Sequence, residues 1–256
     1  MIFDTSIGIK QVIRYEWMDY VVNLLKLGLS EKEIRKELEF FLADRRGNGE
    51  IGDRAKYTMS LAVTLLMNIW VTPKPELICF RDRLLELINN EKTNFICHWA
   101  IVSSVYPFWF NMSYIFGSLF RLQNQIKKEQ VINRTYDLLG ERNTIERCSR
   151  YVIRSFASWG IILDMEKPGI YEKGKNLEVS DLNMASLLVE AMLNALPEGR
   201  IPLDSIINYP AFFNFTFPTL DGFSIAKTSP NLHIEQYSVD NIFLLLKKKT
   251  DPKSIK

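Results

Sequence analysis

Cysteine and histidine are scarce in this chain of 256 residues. It has three cysteines, Cys79, Cys97 and Cys148, and two histidines, His98 and His233. An odd and sparse set of cysteines excludes a disulfide framework and predicts buried thiols in a reducing cytosol. Two distant histidines exclude the histidine-rich zinc signatures and leave few bases that titrate near neutral pH. The composition therefore disfavours hydrolytic and metal-dependent enzymes.

Sequence motifs of catalysis and cofactor binding are also missing. The chain has no nucleophile elbow, no compact pair of carboxylates, no phosphate loop and no C-x-x-C. Cys97 and His98 would diverge by about 100° on a helix, so His98 is predicted to be a core or interface histidine. Residues 47–52 match G-x-G-x-x-G, but a charged helical segment precedes them, which predicts a polar loop. We therefore expect a protein that is not an enzyme and holds no cofactor or metal.

Charged side chains are missing over residues 93–120, a length that could span a bilayer. Pro107 divides this run, and His98 and several serines interrupt it. Because proline kinks or ends a helix, two shorter helices that meet at Tyr106 and Pro107 are favoured over one membrane span. The start of the chain, Met1–Asp4, shows no basic region of a signal peptide. We expect a buried helical hairpin and a cytoplasmic location, with membrane association as the less favoured alternative.

Apolar periodicity and turn signals predict a mainly α fold with small β hairpins, of the α+β class, in three units. Residues 1–92 form a helical N-terminal domain, in which Ser30 and Glu33 make a capping box at a helix-turn-helix-like corner. Residues 93–179 combine the apolar hairpin with a winged helix-turn-helix. Residues 180–256 form a C-terminal helix-plus-hairpin unit.

The winged helix is predicted from the order of elements, which is helix, helix, longer helix and hairpin. The two later helices and the hairpin pieces are predicted at 126–139, 143–159, 161–163, 170–171 and 177–179. The pattern recurs more faintly after Ser180, which leaves open a second, degenerate winged helix. Its helices are predicted at 181–196 and 202–208, and its strands at 223–226, 232–236 and 242–246.

A net charge of only +2 conceals a basic segment. Residues 121–175 carry 11 basic and 7 acidic residues, a net charge of +4, whereas residues 1–120 are neutral and residues 176–256 carry −2. A local excess of positive charge favours an anionic partner.

The helix predicted over 143–159 has two distinct faces. At 100° per residue its apolar side chains share a stripe about 80° wide, formed by Ile145, Cys148, Val152, Phe156 and Trp159. Its basic and amide side chains point almost the opposite way, and they are Asn143, Arg147, Arg150 and Arg154. Only Glu146 borders this basic face, and Asn143 with Glu146 resembles a capping box.

Such a face is typical of a recognition helix that contacts double-stranded DNA, with an ordinary solvated face as the alternative. Guanidinium groups bind phosphates or guanine edges, and asparagine pairs with adenine. We expect Asn143, Arg147 and Arg150 at the DNA groove. Phosphate contacts are expected from Arg154, Lys127, Lys128, Lys173 and Lys175, of which the last two belong to the proposed wing. Whether the corner near Ser30 also contacts DNA stays open.

Residues 209–218 contain five aromatic side chains within nine positions. Because these rings would be costly to expose, the segment is either core or a protein interface, and core is favoured. The interface alternative describes another class of function. The chain would then be an adaptor that holds a partner in a defence or DNA-modification complex without contacting DNA.

The order of these features resembles a known family. Trp99-Ala100, Tyr106-Pro-Phe108, Trp159-Gly-Ile-Ile-Leu163 and the late Pro/Phe segment are similar to BrxA, the small accessory protein of bacterial BREX phage-defence systems. The similarity spans residues 75–246 and concerns layout and short blocks. It implies winged-helix DNA binding and an accessory role in antiviral defence. It implies no catalytic residues.

Overall fold

The computed structural model describes residues 6–217, 221–238 and 241–247. Helices dominate, and the strands form three small sheets among the described residues. The prediction of a mainly α protein of the α+β class is confirmed. The residues Met1–Asp4 and Pro218, on which two sequence interpretations depend, lie outside the described part.

The N-terminal region is helical, as predicted. Ser30 and Glu33 form the predicted capping box, in which the Ser30 backbone N–H donates to Glu33 Oε2 over 2.8 Å. The glycine-rich stretch is a polar turn closed by a bridge between Arg45 and Ile51, and the element directly before it is a helix that ends at Ala43, not a strand. Cys79 is exposed, so the expectation of three buried thiols is wrong for this one. The four helices are α1 Tyr15–Lys26, α2 Glu31–Ala43, α3 Lys56–Leu66 and α4 Ile78–Leu87.

The uncharged run forms the predicted hairpin of two helices, α5 Glu91–Val105 and α6 Pro107–Phe120. Pro107 occupies the first turn of α6, where a missing backbone N–H costs little. Both helices are buried on most sides. Within the described residues, no helix combines the length and the apolar character that crossing a membrane requires.

The central unit has the element order α6, β1, α7, α8, β2, β3. β3 pairs antiparallel with both β1 and β2, so the strand order is β1-β3-β2. Sequence reasoning missed β1, and it placed the second hairpin strand partly at 177–179. That segment instead forms β4, Leu177–Glu178, which is not part of the hairpin of β2 and β3. The other bounds are β1 Gln125–Lys127, α7 Lys128–Leu139, α8 Asn143–Ser158, β2 Ile162–Asp164 and β3 Ile170–Lys173.

The C-terminal unit begins with α9, Leu182–Ala195, and ends in the hairpin of β7, Leu232–Ser238, and β8, Asn241–Leu246. A third strand, β5, Arg200–Pro202, pairs with β8, which gives the order β5-β8-β7. The helix predicted over 202–208 is only a 3₁₀ turn, Leu203–Ser205. β6, Phe215–Thr216, pairs in parallel with β4.

The strand predicted at 223–226 is wrong, because this segment belongs to α10, Gly222–Thr228. The Asp221 carboxylate caps this helix by accepting from the Ser224 backbone N–H over 2.9 Å. Ile225 and Ala226 are the buried face. The strand order of the sheet β5-β8-β7 matches that of the central unit, but two 3₁₀ turns and β6 lie between β5 and α10, where the central unit has the helix α7.

The three proposed units share one hydrophobic core, and their boundaries stay a prediction. α5 packs on α9, and α6 packs on the 3₁₀ turn Pro210–Phe212 of the aromatic segment. That segment is core, as favoured, because Tyr209, Phe212, Phe215 and Phe217 are buried. Four of the five rings are therefore not available as a protein interface, and the fifth, Phe213, is half-buried.

Candidate nucleic-acid interface

The core stripe of α8 is confirmed and is wider than predicted. All five predicted residues are buried, and so are Ser149, Ile153 and Ser155. Ser155 Oγ accepts from the Ile13 backbone N–H over 2.9 Å, and Trp159 Nε1 donates to the Ile13 carbonyl over 2.8 Å. An extended N-terminal segment therefore fixes the C-terminal half of α8 on the side away from its basic face.

The basic face itself is exposed. Asn143, Arg147, Arg150 and Arg154 all reach solvent. The capping box proposed for Asn143 is wrong, because Arg142 is the N-cap and Asn143 is the first residue of the helix. Glu146 instead accepts a hydrogen bond from the Tyr136 hydroxyl over 3.2 Å and forms an ion pair with Arg150.

Two of the three arginines are already paired with carboxylates. Arg150 binds Glu146 one turn earlier, and Arg154 binds Asp164 of β2 over 2.6 Å. The hydrogen bond from Arg150 holds the pKa of Glu146 below its usual range. Partial burial lowers the pKa of Arg154, but hydrogen bonds to Asp164 and Tyr171 outweigh this effect and raise it. No acidic residue of α8 lies among its arginines, as the helical wheel predicts, but folding brings Asp164 of β2 onto this face.

Arg147 is the arginine of α8 that has no carboxylate within ion-pairing distance in the described part of the chain. Burial raises the pKa of the Cys148 thiol, while the charges of Arg147 and Lys10 both oppose this effect. Lys10 is exposed on the N-terminal segment. Lys10 therefore lies near the buried stripe of α8 and is not assigned to its basic face.

The predicted lysines fall into two groups. Lys127 and Lys128 lie where β1 meets α7, next to the hairpin turn, because the Lys128 backbone N–H donates to the Gly169 carbonyl over 2.8 Å. Lys173 and Lys175 lie at the base of the hairpin, beyond its turn. Lys175 is paired with Glu91 of α5 over 3.2 Å. The structure thus brings Lys127 and Lys128 to the turn of the hairpin and leaves Lys173 and Lys175 at the other end.

His98 is buried in the core, as predicted. Its Nδ1 accepts from Trp70 Nε1 over 3.2 Å, so Nε2 carries the proton that Asp19 Oδ1 accepts over 2.9 Å. Burial lowers the pKa of His98, and Asp19 opposes this effect. Both ring nitrogens therefore form hydrogen bonds to other side chains of the protein. Among residues 6–217, 221–238 and 241–247, no group of three or more His, Cys, Asp or Glu side chains could hold a metal ion.

Sequence reasoning missed Glu190, which lies 2% exposed in α9. Both oxygens of its carboxylate accept hydrogen bonds from the Arg83 guanidinium of α4. The carboxylate also accepts hydrogen bonds from the side chains of Ser229 and Asn231. The sequence does contain a signal for a buried acid at this position, because Glu190 is the one charged residue of α9. A lone acid in an apolar helix indicates a buried partner of opposite charge.

Comparison with known proteins gives no match, whether to a family model, to a curated protein or to a solved structure.

Proposed function

We propose that this chain is a non-catalytic, cytoplasmic protein that binds double-stranded DNA through α8. One observation carries the proposal. The basic face of α8 is exposed opposite its buried stripe, while the helix is held in place by the core and by the β2–β3 hairpin. A helix presented in this way can enter a major groove without unfolding its own domain.

The topology of the central unit supports its assignment as a winged helix. A strand, β1, precedes the two helices α7 and α8, and a hairpin follows them. The hairpin strand β3 lies between β1 and β2, so the sheet fastens both ends of the helix pair together. The same strand order in the C-terminal sheet supports the assignment of that unit as a degenerate second copy, in which two 3₁₀ turns, β6 and the short α10 replace the two helices.

The ion pairs on α8 give its arginines different roles in the proposal. Exposed pairs are worth about 0–1 kcal/mol, so a phosphate can displace Glu146 from Arg150. Arg147 needs no displacement and is the leading contact, beside Asn143. Arg154 is bound to Asp164 and Tyr171 and positions the hairpin against α8.

The lysines are likewise divided. Lys127 and Lys128 lie beside the hairpin turn, where Lys167 is also exposed, and these three are proposed to bind phosphates. Lys173 and Lys175 lie at the other end of the hairpin and are assigned little part in duplex binding.

The test is fluorescence anisotropy of the full chain with a random-sequence duplex over a series of salt concentrations. Arg147→Ala/Arg150→Ala removes two cations from α8, and Lys56→Ala/Lys74→Ala removes two exposed cations outside α8 and outside the corner near Ser30 as a matched control. Each lost phosphate contact should reduce the slope of log K against log salt by about 0.9. We expect the first variant to lose up to about 2 in slope and the control to keep the slope of the wild type. Equal affinity and slope in the two variants would overturn the proposal.

The proposed place of this activity is an accessory role in a phage-defence system of the BREX type. It is supported only by the resemblance of residues 75–246 to that family. The test is plaque formation on cells that carry the defence genes with wild-type chain, with Arg147→Ala/Arg150→Ala, or without the chain. Unchanged phage resistance without the chain excludes the role, and full resistance with the double variant separates it from DNA binding.

A second candidate is an adaptor that binds a partner protein. The observation that favours it is an apolar groove of about 190 Å³ between α6 and α7. Leu122 and Leu138 are exposed at this groove, and Tyr114, Ile115 and Leu119 line it. A stoichiometric partner that dissociates from Leu122→Asp but not from Arg147→Ala/Arg150→Ala would favour the adaptor over DNA binding.

A further inference from the structure

A second cleft, of about 220 Å³, lies between the end of α6, the end of β3 and the aromatic segment. Phe120 and Arg121 border it from α6, Lys173 from β3, and Asn208 and Phe213 from the aromatic segment. No residue of α8 lines it. The cleft is therefore distinct from the proposed duplex surface.

The charge of this cleft has one sign. Arg121 and Lys173 are its charged lining residues, and neither has a carboxylate within ion-pairing distance in the described part of the chain. Other clefts combine both signs, such as the groove with Arg134 and Asp137. The Arg121 guanidinium donates to the Asn208 carbonyl, which holds it at the rim. Two unpaired cations at one cleft favour an anionic group.

The same cleft offers aromatic surface. Phe120 and Phe213 are only half-buried, and their ring centroids lie 5.6 Å apart. Buried Phe212 and Phe215 lie beneath them. The aromatic segment is pressed against α6 at Gly117, where a Cβ would come within 1.8 Å of the Pro210 carbonyl oxygen. This close approach fixes the rings, so the aromatic surface exists before a ligand arrives.

We propose that this cleft binds a nucleoside phosphate. The phosphate lies between Arg121 and Lys173, and the base packs on Phe120 and Phe213. Every base presents a π face, so stacking needs no particular sequence. Ligand pockets usually measure about 300–1,000 Å³, so this one holds a single nucleotide with part of it in solvent. The nucleotide is either free or the end of a strand.

The test is saturation-transfer NMR and calorimetry of the full chain with AMP, and with adenosine and inorganic phosphate as the two separate halves. We expect AMP to bind more tightly than either half and to receive saturation at its base protons. Arg121→Ala/Lys173→Ala should weaken AMP binding about tenfold or more, and Phe213→Leu should weaken AMP but not phosphate. Lys32→Ala/Lys36→Ala is the matched control, because it removes the same charge from α2.

The result that overturns the proposal is AMP bound no better than phosphate, or AMP bound equally by the cleft variant and the control. Melting temperatures near that of the wild type show that each variant is folded, and Lys173→Ala alone serves if the double variant is not. A 5′-phosphorylated oligonucleotide that competes with AMP assigns the cleft to a strand end. AMP binding without such competition assigns it to free nucleotides. Arg147→Ala/Arg150→Ala should bind AMP normally, which separates this site from duplex binding.

Discussion

Replacement of Glu190 by glutamine should destabilise the whole chain, because this one carboxylate joins distant segments. Arg83 Nη1 donates to Glu190 Oε1 over 2.9 Å, and Ser229 and Asn231 donate to the same carboxylate. In Glu190→Gln, an amide group replaces one acceptor oxygen. That group is itself a donor and would face the donors of Arg83 or Asn231.

The size of the effect follows from burial. Breaking a buried ion pair by removing one partner costs about 3–5 kcal/mol. The Glu190 side chain is 2% exposed, but that of Arg83 is 31% exposed, so water can partly hydrate the orphaned guanidinium. We therefore expect a loss of about 2–3 kcal/mol, just below the range for a fully buried pair. For a chain of this length each kcal/mol lowers Tm by about 2–4 °C, so Tm should fall by roughly 5–10 °C.

The assay is thermal and urea unfolding of a double-mutant cycle with Glu190→Gln, Arg83→Met and their combination. If the loss of stability comes from the broken ion pair, the free energy of unfolding falls less in the double variant than the sum of its decreases in the two single variants. Glu198→Gln is the matched control, because its pair with Arg200 is about half exposed on both sides and should cost under about 1 kcal/mol. A Glu190→Gln protein that melts like this control, or a strictly additive cycle, refutes the reasoning.

Two further predictions concern the core. Burial lowers the pKa of His98 below 6.5, so the unfolded chain takes up this proton first as pH falls. The stability tied to neutral His98 is present above pH 6.5 and is lost below it, and a His98→Gln variant with an unchanged pH dependence of Tm contradicts this. Gly117→Ala should cost about 1–3 kcal/mol or more in urea unfolding, because its Cβ meets the Pro210 carbonyl. Gly47→Ala, which meets nothing within 4 Å, should be neutral, and equal losses would contradict the packing argument.

The features that sequence reasoning predicted correctly are those that depend on neighbours along one helix. The two faces of α8 follow from the helical period alone, and Pro107 splits the apolar run wherever it packs. Short elements were not predictable in this way. β1 has three residues and exists because Ile126 pairs with Tyr171, 45 positions later, and the short segment 223–226, with three apolar residues, suits a strand or a helix equally.

The electrostatics of the candidate site depended on contacts between segments that are distant in sequence. The wheel of α8 correctly shows no acid among its arginines, yet the turn into β2 places Asp164 against Arg154. Lys175 is likewise paired with Glu91, 84 positions away in the sequence. Local sequence therefore predicts which side chains are exposed, while tertiary packing decides which of them still carry an uncompensated charge.

The attachment of the N-terminal segment to α8 has a consequence for experiments on fragments. Ile13 is bound to Ser155 and Trp159 across more than 140 residues, so this contact closes a long loop of the chain. A fragment limited to residues 93–179 would lose it, which would uncover the indole of Trp159 and release the end of α8. The orientation of the arginines thus depends on residues outside 93–179, so a fragment of this range that fails to bind DNA would not test the proposed contacts of α8.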